Sequence, residues 1–517
     1  MGLAVFLFWG WVYPHALSYQ EQYQLFLWSG DYLRDALRIP GGLAAWLGEW
    51  LVQFYFVEWL GALLLALLFV ALQQLSAALL RIKGKGWYVL SFFPPVLLLW
   101  LLGDESVLMA YVVALLLSTA LFLLLRRAPA FTDVIVIPIA YWLLGPMVWL
   151  YVALRVADGG WRRWWIPLLL LAMQGVAYGW LLTEWQLYSV LTGWVYYRIP
   201  LHGHALMWVI PLVMVSMMLL SRQSHQKWMW PVEAGMLVAL TFLSVNEGYE
   251  REKYELIRQD YLVRHERWSE IIDRAEKYQV QTPFSSVCVN LALAEKRQLA
   301  DRMFDFYQSG PDALVMGRIR DLTSMLPSAE VFWRLGMVNS AQRYMFDTQE
   351  SILNAKRSGR CTQRIAECMI VNGHYQTARK QLDLLSKTLF YRGWAKEAKA
   401  CLGDEAKINA HPVWGRLRQL RYKTDFLFSY GEMDKMLGQL FIGNTDNKMA
   451  LDYMLAQMLL NGNVQAFSQY LPWAQRYGGY SAMPLGYQDV VRCIQRNGKA
   501  DDSPYMDYIK RLQRTQP

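Results

Sequence analysis

A chain of 517 residues that is 55% hydrophobic and carries 24 tryptophans is too long for one ordinary domain and too apolar for an ordinary soluble protein. Its charge is uneven: the residues up to Gly248 hold 13 Lys and Arg against 12 Asp and Glu, while the remainder holds 8 of the 9 excess positive charges. An apolar half followed by a charged, soluble-looking half excludes a single globular enzyme domain, and no basic stripe interleaved with aromatics argues for nucleic acid.

Leu3 to Tyr13 is apolar and lacks a basic leader, which predicts a short first span rather than a cleaved signal. His15 to Phe56 follows as a loop rich in aromatics that carries Glu21, Asp31, Asp35 and Glu49. Val57 to Leu80 is long enough to cross a bilayer, for which about 20 apolar residues suffice. Trp87 to Leu102, Val107 to Leu125, Ile166 to Leu182, Ala205 to Leu220 and Met229 to Val245 complete an expected set of seven spans.

Val134 to Leu154 contains Pro138 and a Gly145-Pro146 break, so it reads either as one crossing or as two short helices that enter and return. Charge placement separates the two, because Lys and Arg concentrate in cytoplasmic loops. A single crossing divides the loop cations six against seven, which is no bias. A return puts ten on one side (Arg81, Lys83, Lys85, Arg126, Arg127, Arg155, Arg162, Arg163, Arg222 and Lys227) against Arg34, Arg38 and Arg198 on the other. The expectation is therefore an all-α protein: a seven-span bundle with one broken re-entrant segment over residues 1–248, then a soluble helical domain over 249–517. The opening loop, the loop from Glu184 to His204 and the second half then share the outer side of the membrane.

From Tyr249 onward amphipathic helices alternate with short polar breaks. A unit of helix, Asn/Gly turn and Ala-bearing second helix recurs at Ala300, Ala341, Ala378 and Ala466, with a degenerate unit expected around FLFSYGEMDKML. Small residues there let paired helices approach, and stacked pairs build a solenoid. Trp268, Trp333 and Trp394 are expected to plug helix pairs. The units resemble tetratricopeptide-like repeats, which implies a protein partner on the array, although they depart from the 34-residue consensus. Cys288, Cys361, Cys368, Cys401 and Cys493 form neither a disulfide framework nor a zinc pattern, and read as small buried residues.

No nucleotide loop, zinc signature, nucleophile elbow or glycine fingerprint appears. The candidates for chemistry are the polar residues gathered at the outer face. A carboxylate there, Glu21 first and Asp31 second, can deprotonate an acceptor hydroxyl or bind a divalent metal, which leaves the cofactor question open. Asp35 accompanies them on the substrate side. Arg198 can hold a phosphate through a bidentate fork, and His202 and His204 can move a proton or help bind metal. Against each stands a plainer role, a solvated carboxylate on an interfacial helix or an aromatic belt residue.

The short first span, the outer loop opening on Glu21, the turn at Pro40, Gly41 and Gly42, and Trp59-Leu60-Gly61-Ala62 at the start of the second span resemble the beginning of polytopic glycosyltransferases of the GT-C class. That resemblance implies an outer-loop carboxylate as base, a polyprenyl-phosphate-linked sugar as donor and a soluble domain on the same side. Carried over, Glu21 is the base, in place of the usual Asp, and Asp31 its substitute. The whole chain also resembles an uncharacterised family of bacterial, Bacteroidetes-type, multi-pass inner-membrane proteins. The readings that follow are a lipid-linked-sugar transferase acting at the outer face and, from another class, a membrane-anchored scaffold for envelope assembly. A transporter ranks third, since the spans carry few polar residues.

Overall fold

The computed structural model describes residues 1–80, 86–193, 197–198, 204–223, 228–317, 319, 323–352, 356–423, 429–495 and 503–515. Among them the regular structure is helical, with one isolated antiparallel β-bridge between Val107 and Arg198. The chain divides into two compact units, Met1–Tyr254 with Lys387–Phe390, and Glu255–Ser386 with Tyr391–Pro517. The boundary thus falls six residues beyond the one expected, and a short segment of the later chain belongs to the first unit.

The first unit opens with α1 (Gly2–Leu7), which runs on through a π turn at Phe8–Val12, then α2 (Pro14–Glu21), α3 (Gly30–Ala36) and α4 (Gly42–Val52). The apolar helices follow: α5 (Glu58–Leu79), α6 (Phe93–Leu101), α7 (Met109–Leu125), α8 (Asp133–Leu144), α9 (Val148–Gly159) and α10 (Ile166–Trp180). A short α11 (Leu187–Thr192) leads to α12 (Leu206–Leu220) and α13 (Met229–Gly248). Three stretches are long and apolar enough to cross a membrane: Glu58–Leu79, Ala130–Gly159 and Met229–Gly248. Gly2–Val12, Trp87–Leu101, Met109–Leu125, Ile166–Trp180 and Leu206–Leu220 are apolar but shorter. The described residues of this unit thus hold three long apolar stretches and five shorter apolar helices.

The second long stretch is not one rod. At about 1.5 Å per residue, Asp133 and Arg155 would stand roughly 33 Å apart along a continuous helix. Instead the Arg155 Nε donates to Asp133 Oδ1 at 2.9 Å and its Nη2 to Oδ2 at 2.7 Å. The chain reverses at Gly145–Met147, where Gly145 adopts φ +72°, a conformation that suits only glycine, and Pro146 cannot continue α8. Tyr151 also donates to Asp133, and the other guanidinium N–H groups reach the Leu125 and Ala128 carbonyls, so both buried charges are fully engaged.

This hairpin defines two ends of the unit. At its base, Arg126 and Arg222 approach Asp158 at 3.5 and 3.8 Å, and Arg163 donates to the Arg155 carbonyl. At its apex, the Gly41 N–H donates to the Trp142 carbonyl at 2.9 Å, and the Trp142 indole N–H to the Leu37 carbonyl at 2.9 Å. Tyr197 accepts from the Met147 N–H at 2.9 Å and donates to the Leu144 carbonyl. Arg155, counted as a loop cation from the sequence, is fully buried instead.

The second unit is an array of helical hairpins. Five of its turns share one hydrogen bond, from a backbone N–H to the carbonyl five residues earlier: Arg267 to Leu262, Gln298 to Leu293, Met337 to Phe332, His374 to Met369, and Asn463 to Met458. The residue before each donor is left-handed: Glu266, Arg297, Gly336, Gly373 and Gly462. The turn at Glu266 was hidden from sequence because a glutamate holds the place of a glycine. Ala300, Ala341 and Ala378 are buried as expected and Ala466 is half-buried. Of the expected degenerate unit, residues 424–428 lie outside the described residues, and Tyr430–Glu432 leads into the helix Met433–Gly443. Trp333 is buried, whereas Trp268 and Trp394 are half-buried, so only one of the three plugs the array. Four cysteines are buried and Cys401 half-buried, all as free thiols.

One buried carboxylate of this unit makes folding pH-dependent. Burial pushes Asp452 up to about 6 from an ordinary 3.8, although Arg297 and Tyr480 both bond it. A carboxyl whose folded value is raised contributes stability that is fully present below about pH 4 and is lost as pH rises through about 6, here about 2–3 kcal/mol. Thermal unfolding of the detergent-solubilised chain and of Asp452→Asn should therefore diverge across that window. Parallel curves would show that this carboxyl does not titrate there.

Candidate functional site

The helix α2 starts on Pro14, whose missing N–H costs nothing in a first turn. An amphipathic helix would expose its polar face. Here every residue from His15 to Phe26 is buried, including His15, Ser18, Gln20, Glu21, Gln22 and Gln24. Polar groups are expensive inside an apolar unit unless they are partnered, so six of them enclosed within twelve residues mark this stretch as a candidate site. Glu21, the last residue of α2, is 4% exposed.

The helix α4 brings Glu49, and the 3-10 turn after it brings Gln53, both buried. Tyr32 donates to Glu49, and the Trp28 indole N–H donates to Gln53 Oε1 at 3.1 Å. Phe26 sits edge-on to Trp28, Tyr32 and Trp46, so the opening loop folds over one aromatic ring instead of lying loose.

A second polar group is built by the loop between α6 and α7. Arg198 Nε donates to Asp104 Oδ2 at 2.7 Å, with both side chains about one-eighth exposed. The pairing is positioned by backbone, since the Leu108 N–H donates to the Tyr197 carbonyl at 2.8 Å beside the Val107–Arg198 bridge. Next to it Lys253 meets Glu105 at 2.6 Å. His204 is half-buried, and its Nδ1 accepts from the Leu206 N–H. Burial holds its imidazole below the ordinary histidine range, with Asp104 pulling up and Arg198 pulling down, so it is neutral near pH 7.

Tyr254 joins the two groups. Its hydroxyl donates to the Gly103 carbonyl at 2.9 Å, while Tyr13 and His15, at the start of α2, lie edge-on to its ring. Burial first, and then the nearby Glu105, Tyr13, Asp104 and Tyr19, raise its phenol well above the ordinary value, so it stays protonated as a donor. Gly103 has no room for a side chain, since a Cβ would lie 2.1 Å from the Gly248 carbonyl oxygen. Substitution by alanine there should therefore shift the loop that carries Asp104 and Glu105, read as a lower unfolding temperature. An unchanged temperature would show that the loop yields freely.

The six candidates thus separate. Glu21 is buried on α2, and Arg198 and His204 share the field of Asp104. Asp31 and Asp35 lie exposed on α3 and pair with Arg34 and Arg38 three residues on, each at 3.1 Å, as solvated surface pairs do. His202 lies outside the described residues. Sequence reasoning passed over Asp104, Glu105, Gln22, Gln24, Gln53 and Tyr254. The visible signal was an acidic pair between two apolar helices, and a Glu-Gln-x-Gln run directly after a span. Among the described residues no three His, Cys, Asp or Glu side chains are grouped to hold a metal ion.

No curated protein and no solved structure matches the chain. Residues 1–514 match the model of a family of unknown function, DUF6057, and the chain belongs to that family.

Proposed function

We propose that the chain is a GT-C-like transferase of the inner membrane that moves a sugar from a polyprenyl-phosphate carrier to an acceptor hydroxyl at the outer face. The observation that carries this reading is the burial of Glu21, 4% exposed, in the wholly buried stretch His15 to Phe26, where it stands among five other buried polar residues soon after the first apolar segment. The hairpin supports the orientation: Arg126, Arg163 and Arg222 gather at its base, which takes the cytoplasmic side, and Gly41 and Tyr197 meet its apex, on the outer side.

In this mechanism the Glu21 carboxylate takes the acceptor hydroxyl proton as that oxygen bonds to the anomeric carbon of the donor. The carbon–oxygen bond to phosphate breaks, and its electron pair leaves with the lipid phosphate. Arg198, oriented by Asp104, faces the developing charge, while neutral His204 hydrogen bonds to the phosphate. Asp31, exposed and paired, has no part in the reaction. The test is Glu21→Gln, scored by surface glycan composition in cells and by transfer from a radiolabelled polyprenyl-phosphate hexose. Unchanged glycan at normal protein levels would sink the proposal.

The hairpin array favours a second reading, a membrane-anchored tetratricopeptide-like scaffold that recruits a protein partner for envelope assembly. Under that reading Glu21→Gln is silent, and deletion of the array abolishes the phenotype of the gene.

A further inference from the structure

The second unit contains a cavity of about 220 Å³ at the junction of the helices Val464–Tyr477 and Leu485–Gln495. Five other turns of the array close tightly through one left-handed residue, but here residues 478–484 form a longer loop. The loop is held from behind. Arg297 reaches the Gly478 carbonyl at 2.5 Å and Asp452 at 2.8 Å, and Tyr480 donates to the other Asp452 oxygen. Asp301 accepts the Leu485 N–H at 2.7 Å, and Gln488 donates to the Met483 carbonyl at 2.7 Å. Such anchoring gives the Arg297 side chain a use in a left-handed turn position that Gly336, Gly373 and Gly462 fill in other turns and that Glu266 also occupies. These bonds fix the loop that forms one side of the cavity.

Its lining limits what can enter. Tyr480, with Arg297 over its ring, and the nearly enclosed Tyr487 supply aromatic surface, Leu471, Ala474 and Met483 supply apolar surface, and Gln475 and Ser481 supply hydrogen-bonding groups. None of the lining residues is charged. A phosphate or carboxylate would find no cationic side chain in that lining to pair with. A dry cavity of about 150 Å³ accepts benzene, whereas pockets for drug-sized ligands begin near about 300 Å³. The space therefore suits one ring and a small polar substituent.

We propose that this cavity binds a neutral monocyclic aromatic group bearing one hydrogen-bonding substituent, packed against Tyr480, Met483 and Leu471 and bonded to Gln475 or Ser481. The ring comes either from a free phenol-like compound or from a tyrosine side chain, and the site is independent of the transferase reading. The test uses the full chain in detergent with p-cresol as probe, followed by saturation-transfer NMR and titration. Saturable binding is expected, and phenyl phosphate should bind far more weakly. Ala474→Leu adds methylenes to the lining and should weaken p-cresol binding about 10-fold or more. Ala482→Trp, on the exposed part of the loop, gives a second blocked variant if the first does not fold. N-acetyltyrosinamide binding as well as p-cresol assigns a side-chain source, whereas p-cresol alone assigns a free compound. No saturable binding at millimolar p-cresol, equal binding of phenyl phosphate, or undiminished binding by the folded blocked variant would each overturn the assignment.

Discussion

Glu21→Gln should abolish sugar transfer while the protein folds, inserts and accumulates normally. The change removes one ionisable oxygen and keeps shape, so the buried surroundings of α2 have no steric reason to move. General-base catalysis contributes about 10²- to 10⁴-fold, and the loss should fall in that range, in turnover more than in substrate affinity. Glu21→Asp, which keeps the base but draws it back by one methylene, should recover part of the rate. Asp31→Asn is the comparison that matters. Asp31 is exposed and its partner Arg34 is exposed too, so its removal should leave activity near wild type. Normal transfer by the Glu21 variant alongside loss in the Asp31 variant would reverse the assignment.

Arg155→Met should cost about 3–5 kcal/mol of stability, because it strands the Asp133 carboxylate where neither side chain of the pair meets solvent. The loss would be felt across the hairpin. Arg155 ties α9 to the start of α8 and to the carbonyls of Leu125 and Ala128. The double variant Asp133→Leu with Arg155→Met should recover much of that loss, since a buried ion pair replaced by apolar groups of similar volume is often neutral. Thermal unfolding of the four proteins in detergent gives the coupling directly. Additive effects would mean that the two charges do not depend on each other.

Legibility differed by element. The apolar runs of α5, α7 and α13 announce themselves because burial or lipid contact on all faces demands continuous apolar sequence. The hairpin was legible as a Gly145-Pro146 break with two readings, of which loop-charge placement favoured the return. What separates them in space is one contact between Asp133 and Arg155, residues with no local signature. The array was legible at the units of Ala300, Ala341, Ala378 and Ala466 and lost at the turn where Glu266 fills the left-handed place. In the candidate site, Glu21 was found from its position after the first span. Asp104 was not, because its role depends on Arg198, 94 positions away.

What sequence by itself determined is the division into an apolar and a charged half, the helical class, the recurrence of helix pairs and the acidic character of the opening loop. These follow from composition and local periodicity, which any window of the chain carries. Only tertiary structure decided which carboxylates are buried, where the apolar stretch turns back and which cation meets which anion. Glu21 and Asp31 are both acidic residues of one loop, yet one is enclosed and the other solvated. Burial is a property of the packed surroundings, and residues distant in the chain supply them.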